Sequence, residues 1–172
     1  MAESTVLREL PPPQLINLRG DAAADAFRSA VAGVLGVPPP VEPNTVAASG
    51  EFDVLWLGPD EWLVVALAGK GEPAARLEAA LAGLHHSVID VSQGRVVLEL
   101  EGAEARTVLA QATSLDLRAR AFGPGCSAQT VLARVPVILQ QIDTLPRFRV
   151  FVRASFAPYV REWLQDTIAE LA

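Results

Sequence analysis

Residues 53–67, DVLWLGPDEWLVVAL, limit the possible folds more than any other stretch, because two apolar runs, Val54–Leu57 and Trp62–Leu67, flank one short polar loop, Gly58-Pro59-Asp60-Glu61. Two buried strands meeting at a tight turn predict a β-hairpin. Proline holds φ near the value that the second residue of a type I turn needs, and aspartate is tolerated at the third. Pro59 and Asp60 therefore fit the turn. Asp60 and Glu61 could also be read as an acid and a base, yet carboxylates are what a solvated turn ordinarily carries. The hairpin supplies an architecture and no reaction.

The flanking sequence extends that architecture. Pro11-Pro12-Pro13 make residues 1–13 an extended arm, suited to the surface or to a partner. Gln14–Arg19 reads as a strand, Gly20 as a turn and Asp21 as the N-cap of a helix over 21–35, with Phe27, Val31, Val34 and Leu35 on one face and Gly36 and Pro38 ending it. Residues 38–50 read as a loop. After the hairpin, which Gly69-Lys70-Gly71 closes, Pro73 sits early in a helix striped by Leu77, Leu81 and Leu84, and Ser87–Val91 is a strand. Strand, helix, strand, strand, helix, strand is the ferredoxin-like, or split βαβ, order.

Similar steps follow a break near Ser92–Gly94. Arg95–Glu101 is a strand, Ala105, Val108, Leu109 and Ala112 share a helix face, residues 128–134 and 137–142 pair around Pro136, and Arg147–Arg153 is a further strand. Ser155 caps a last helix striped by Phe156, Val160, Trp163, Leu164 and Thr167. The expected fold is α+β: two ferredoxin-like halves, residues 14–93 and 94–172, with mostly antiparallel sheets.

Charge and composition remove several functions. A net charge of −6 and an isoelectric point near 4.9 argue against nucleic acid and anionic membranes as partners. There is neither an apolar run of membrane-spanning length nor a basic start followed by an apolar stretch, so a cytoplasmic chain is expected. Hydrophobic content of 51% with mean hydropathy +0.29 is high enough to suggest surface hidden against a partner. The single cysteine, Cys126, can form no intrachain disulfide. Lys70 is the only lysine, so almost all positive charge is arginine, from either interface selection or codon bias.

The short motifs resolve into structure. Arg19-Gly20-Asp21 reads as a strand end and helix cap rather than an adhesion tripeptide, and Gly69-Lys70-Gly71 lacks the P-loop glycine, since Val64 stands there. Gly123-Pro124-Gly125-Cys126-Ser127-Ala128 has GxGxxA spacing but leads into β-rich sequence instead of a helix. Adjacent histidines on a strand point to opposite faces, so His85 and His86 cannot easily clamp one metal. No catalytic, cofactor-binding or metal-ligating residue is expected. On the strand 147–153, alternation puts Arg147, Arg149, Phe151 and Arg153 on one face. That face could meet an anion or an acidic partner, or carry charge only to stay solvated.

Taken together, LINLRGDAAADAF, VEPNTVAASG, LWLGPDEWLVV, HHSVIDVSQGRVVLELEG and RVFVRASFAPYVREWL resemble the gamma subunit of bacterial heterotetrameric sarcosine oxidase. The resemblance implies a non-catalytic subunit of an oxidoreductase of alpha, beta, gamma and delta subunits that demethylates sarcosine to glycine. It also implies FAD, FMN and NAD on the larger subunits, zinc on the delta subunit and tetrahydrofolate as one-carbon acceptor, with no cofactor on this chain. A wider similarity runs to the folate-dependent aminomethyltransferases, through Asp90-Val91-Ser92, Leu100–Gly102, the helix over 103–112 and the later strand pair. That family implies a catalytic aspartate at the strand pair, but residues 128–141 contain no carboxylate. The alternative, an independent folate-binding protein of that class, would use Trp56, Trp62 and the arginine face. A regulatory module on ferredoxin-like halves is a third class, carried by fold analogy alone.

Overall fold

The computed structural model describes residues 4–66 and 72–171. In chain order the elements are β1 (Val6–Glu9), β2 (Gln14–Gly20), α1 (Asp25–Leu35), β3 (Val46–Ala48), β4 (Phe52–Gly58), β5 (Glu61–Ala66), α2 (Pro73–Ala80), β6 (His86–Asp90), β7 (Arg95–Glu101), α3 (Ala105–Ala110), β8 (Ser127–Leu132), β9 (Val135–Asp143), β10 (Arg147–Arg153) and α4 (Ala157–Leu171). Short 3₁₀ turns occupy Ser92–Gly94 and Ala154–Phe156. The expected hairpin is β4 and β5, with Gly58 opposite Glu61 and a bulge between Trp56 and Gly58. Leu67 and Gly69-Lys70-Gly71, read as its end, lie outside the described residues.

Two compact units result. Residues 11–66 and 72–93 form one, and residues 4–10 with 94–171 form the other. The first sheet runs β3-β4-β5-β2-β6 and the second β8-β9-β10-β7-β1, every strand pairing being antiparallel. The two orders superimpose: β7 stands where β2 stands, β10 where β5 stands, and β1 where β6 stands. In the first unit that edge strand follows α2, whereas in the second it comes from the start of the chain. The fold is therefore an α+β duplication in which the second copy takes its last strand from its N-terminal side.

This alters the reading of residues 1–13. Val6–Glu9 is extended, as expected, but it is an edge strand paired with β7 from Val6↔Glu101 to Glu9↔Leu98. Pro11-Pro12-Pro13 stay outside the strands because proline lacks the N–H a ladder needs. Glu9 and Arg161 of α4 form an ion pair, and Thr5 Oγ1 accepts a hydrogen bond from Glu104 N at 3.0 Å.

Each unit closes a core on its helix side. In the first, Phe27, Val31 and Leu35 of α1 and Leu77 of α2 pack on Ile16, Leu18, Trp62 and Val64. Phe27 lies 5.7 Å from the Trp62 ring, and Trp62 Nε1 donates to Pro40 O at 2.7 Å, so the buried indole loses no hydrogen bond. In the second, Val108 and Leu109 of α3 and Val160 and Leu164 of α4 cover Leu98, Leu100, Phe148, Val150 and Val152. Arg106 pins the irregular segment beside α3: its guanidinium donates to the Leu117 and Phe122 carbonyls and to Gln141 Oε1, and lies 5.2 Å over the Phe148 ring.

Helix starts and one turn differ from expectation. Asp21 does not cap α1, which begins at Asp25; instead Asp21 Oδ1 accepts from Ala23 N at 2.9 Å, closing a local turn ahead of the helix. Ser155 lies inside a 3₁₀ turn, and α4 starts at Ala157, which leaves Phe156 exposed rather than in the stripe. Part of the loop 38–50 becomes β3. The strand pair turns at Ala133-Arg134, not at Pro136, which pairs with Val131 inside β9.

Ala133 and Arg134 have φ of 48° and 74°, the left-handed pair that a two-residue type I′ turn requires. Side chains are strained there, and glycine is not. Arg134→Gly is therefore expected to raise unfolding stability by about 0.5–1 kcal/mol, the relieved strain outweighing the added freedom of the unfolded chain. A urea melt checks it, and an unchanged or lowered midpoint would contradict the turn geometry.

Candidate functional site

The four residues expected to face a ligand or partner do share one face of β10, opposite the helices, but the fold treats them differently. Arg149 is 8% exposed and its Nε donates to Glu99 Oε2 at 3.2 Å, while Glu99, 6% exposed, also receives Arg8 at 3.3 Å. Arg8 reaches Glu101 at 2.6 Å, and Arg147 meets Asp143 at 2.5 Å. Phe151 is fully buried. Arg153 is exposed, and its Cα partner on β7 is Arg95. The face thus grades from matched ion pairs at one end, through Phe151 opposite Val97, to two facing arginines at the other.

The hairpin turn is held by its neighbour strand. Arg19 Nη2 donates to Asp60 Oδ2 at 2.7 Å, Asn17 Nδ2 to Glu61 Oε1 at 2.7 Å, and Gly20 N to Asp60 O at 3.1 Å. Both carboxylates are thus engaged in fastening β2 to the turn, which fits a structural role better than acid–base chemistry. Beside them lies an open depression of about 700 Å³ lined by Arg19, Gly20, Asp60, His85, His86 and Ile89.

Protein groups engage both ring nitrogens of His86. Its Nδ1 lies 2.9 Å from Leu84 O and its Nε2 lies 3.0 Å from Glu78 Oε2. The Leu84 carbonyl first, and the Glu78 carboxylate second, hold its pKa above the ordinary 6.5. Because the folded pKa is raised, this contribution to stability is complete below the unfolded pKa and disappears as pH rises through the folded one. An NMR titration should place the His86 midpoint above 6.5, and Glu78→Gln should bring it down. A midpoint unmoved by that change would rule out the Glu78 contact.

The Asp90-Val91-Ser92 stretch that carries much of the resemblance is a structural knot. Asp90 Oδ1 accepts from Ser92 N at 2.8 Å and from Ser92 Oγ at 2.5 Å, and Ser92 Oγ accepts from Leu15 N at 2.9 Å. Those two bonds from Ser92 hold the Asp90 carboxyl below its ordinary pKa. On the β8–β9 pair the sole carboxylate is Asp143, at the far end and committed to Arg147. Cys126 is partly buried against the core, and Gly123–Ala128 enters β8 rather than a helix. Trp62 is core, which removes it as a stacking surface, whereas Trp56 is partly exposed. Among the described residues no three His, Cys, Asp or Glu side chains gather as a metal site, and no helix is long and apolar enough to cross a membrane.

Arg95 is the participant that sequence reasoning missed. It opens β7, and only the register of β7 against β10 brings it opposite Arg153.

Comparison with known proteins places this chain in a family. Residues 19–170 match the family described as "Sarcosine oxidase, gamma subunit family". Sarcosine oxidase subunit gamma from Arthrobacter sp. is 38% identical over 99% of this chain and 83% of its own length, and its namesake from Corynebacterium sp. (strain P-1) matches equally. A chain of heterotetrameric sarcosine oxidase from Corynebacterium sp. U-96, solved in complex with pyrrole 2-carboxylate, superimposes with a TM-score of 0.88 at 34% identity, over 96% of this chain and 84% of that one. The glycine cleavage system aminomethyltransferase T from Bartonella henselae shares the fold, with a TM-score of 0.72 at 19% identity over 94% of this chain and 45% of that one. With a match spanning both units and relatives at this level of identity, the chain belongs to the sarcosine oxidase gamma subunit family.

Proposed function

We propose that this chain is the gamma subunit of a heterotetrameric sarcosine oxidase, supporting the oxidative demethylation of sarcosine to glycine with one-carbon transfer to tetrahydrofolate, and contributing no reactive group itself. The observation that carries this reading is similarity along nearly the whole chain to sarcosine oxidase gamma subunits, together with the 0.88 superposition on a chain of the heterotetramer. The site chemistry supports it: carboxylates on the β4–β5 turn and the β8–β9 pair are tied to Arg19, Asn17 and Arg147. The partners are alpha, beta and delta subunits, which hold FAD, FMN, NAD and zinc, and the assembly works in the cytoplasm.

Co-expression of the tagged chain with its neighbouring genes tests the reading. Stoichiometric recovery of three further subunits with sarcosine-oxidising activity, and no turnover by the isolated chain, is the expected outcome. A subunit of this kind buries roughly 2,000 Å² or more in permanent contacts. Recovery of a lone monomer would overturn the subunit assignment, and turnover by the isolated chain would overturn its non-catalytic role. Micromolar binding of tetrahydrofolate to the isolated chain would favour the folate-binding alternative.

A further inference from the structure

We infer that Arg95 and Arg153 form a cationic clamp for an acidic side chain of a partner subunit. The inference rests on the subunit reading above and names the contact that reading leaves open.

Strands β7 and β10 pair along one antiparallel ladder. Arg149 stands opposite Glu99, and Phe151 opposite Val97. Across the paired end of the face, Arg8, Arg147 and Arg149 meet Glu99, Glu101 and Asp143 within ion-pairing distance. Arg153 opposite Arg95 breaks the pattern. Like charges directly opposite on antiparallel strands repel, and a face selected only for solvation and pairing would alternate sign there as it does two rows away. No carboxylate reaches either guanidinium among the described residues, and both burial and the Arg153 charge lower the Arg95 pKa.

The surroundings favour a protein partner. Arg153 runs directly into the turn Ala154–Phe156, where Phe156 is 42% exposed, and Tyr159 one helical turn on is 46% exposed. Aromatic residues and arginine are both enriched at interfaces, and the chain carries both, exposed, where β10 gives way to α4. Two arginines on paired positions of one ladder, close enough for their charges to interact, can offer a carboxylate N–H donors from both guanidiniums. That carboxylate is supplied by an Asp or Glu on the neighbouring subunit, whose charge cancels the repulsion that this chain carries when alone.

The test uses the co-expressed assembly. Arg95→Gln/Arg153→Gln should weaken retention of the tagged chain in the complex on the order of tenfold, and Arg95→Glu/Arg153→Glu by more, with the wild-type contact losing strength as salt rises. In the isolated chain the single change Arg153→Glu should act oppositely, leaving the melting temperature unchanged or raising it by about 2–4 °C, because it turns a repulsive cross-strand pair into an attractive one. A purely structural role cannot give these opposite signs.

If wild type assembles and the double Glu variant assembles as tightly, the clamp is refuted while the subunit reading stands. If wild type does not assemble, the subunit reading fails and the clamp with it. A marked fall in the melting temperature of the isolated Arg153→Glu chain would refute the clamp by showing that the arginines serve the fold. So would assembly indifferent to the variants combined with stabilisation of wild type by sulfate, which would indicate a free anion.

Discussion

Deleting residues 1–10 is expected to leave the unit built on β7–β10 unable to hold its fold, with a loss on the order of 4–6 kcal/mol from a few backbone hydrogen bonds, one apolar side chain and several ion pairs. The deleted piece spans four register pairs with β7, and Leu10 N donates to Val97 O at 2.9 Å. Leu7 packs on the core of that unit, and Arg8 supplies one of the cations around buried Glu99 and half-exposed Glu101. Marginal domains have little more than this in total. The deletion also turns β7 from an inner strand into a bare edge, which invites pairing with other chains. Gly102 reports the same contact: at φ +132° a Cβ there would lie 2.5 Å from the Thr5 Cα, backbone that cannot swing aside.

Topology supplies the rescue. Since β1 stands where β6 stands in the first unit, a permuted chain carrying residues 4–10 behind Leu171 on a flexible linker should regain most of the lost stability. Urea unfolding of the parent, the deletion and the permutant checks both expectations. A deletion chain that melts with the parent would mean that β1 is an accessory and not the fifth strand of a duplicated unit.

Period, turn chemistry and apolar runs made most of this architecture legible before the fold was known. The hairpin was readable because Pro59-Asp60 separates two runs too short for helices, and the helix stripes Phe27, Val31 and Leu35 or Leu77 and Leu81 because burial repeats at helical spacing. What was not legible depends on long-range pairing. VLRE carries no apolar alternation strong enough to announce a strand, and its pairing with β7 is fixed by residues more than ninety positions away, as Arg8 to Glu99 and Glu101 shows. Asp21 looked like a cap because caps are recognised by residue type, while the helix itself waits until Asp25. The arginine face was legible as alternation, but which arginines were already matched depended on Glu99 and Asp143, whose approach is tertiary. Alternation assigns a side chain to a face and says nothing of what stands across the ladder.

Gly20→Ala is expected to cost about 3 kcal/mol, at the upper end of what overpacking a core does. A Cβ at Gly20 would lie 2.1 Å from Phe27 Cε2 and within 2.7 Å of two further ring atoms. An exposed or loosely held ring would turn away. This one cannot, because Phe27 is 2% exposed, lies 5.7 Å from the Trp62 ring, and Trp62 is in turn anchored by its 2.7 Å bond to the Pro40 carbonyl. The strain would reach the hairpin turn, since Gly20 N donates to Asp60 O and the neighbouring Arg19 holds the Asp60 side chain. Phe27→Leu trims the obstructing ring at a cost of its own, so Gly20→Ala/Phe27→Leu should be less damaged than the sum of the two single changes, by about 1–2 kcal/mol of coupling. Chemical denaturation of the four chains measures that coupling. Additive costs, or a Gly20→Ala chain within about 0.5 kcal/mol of the parent, would show that the ring has room to move and that the glycine is there for some other reason than the aromatic pair it faces.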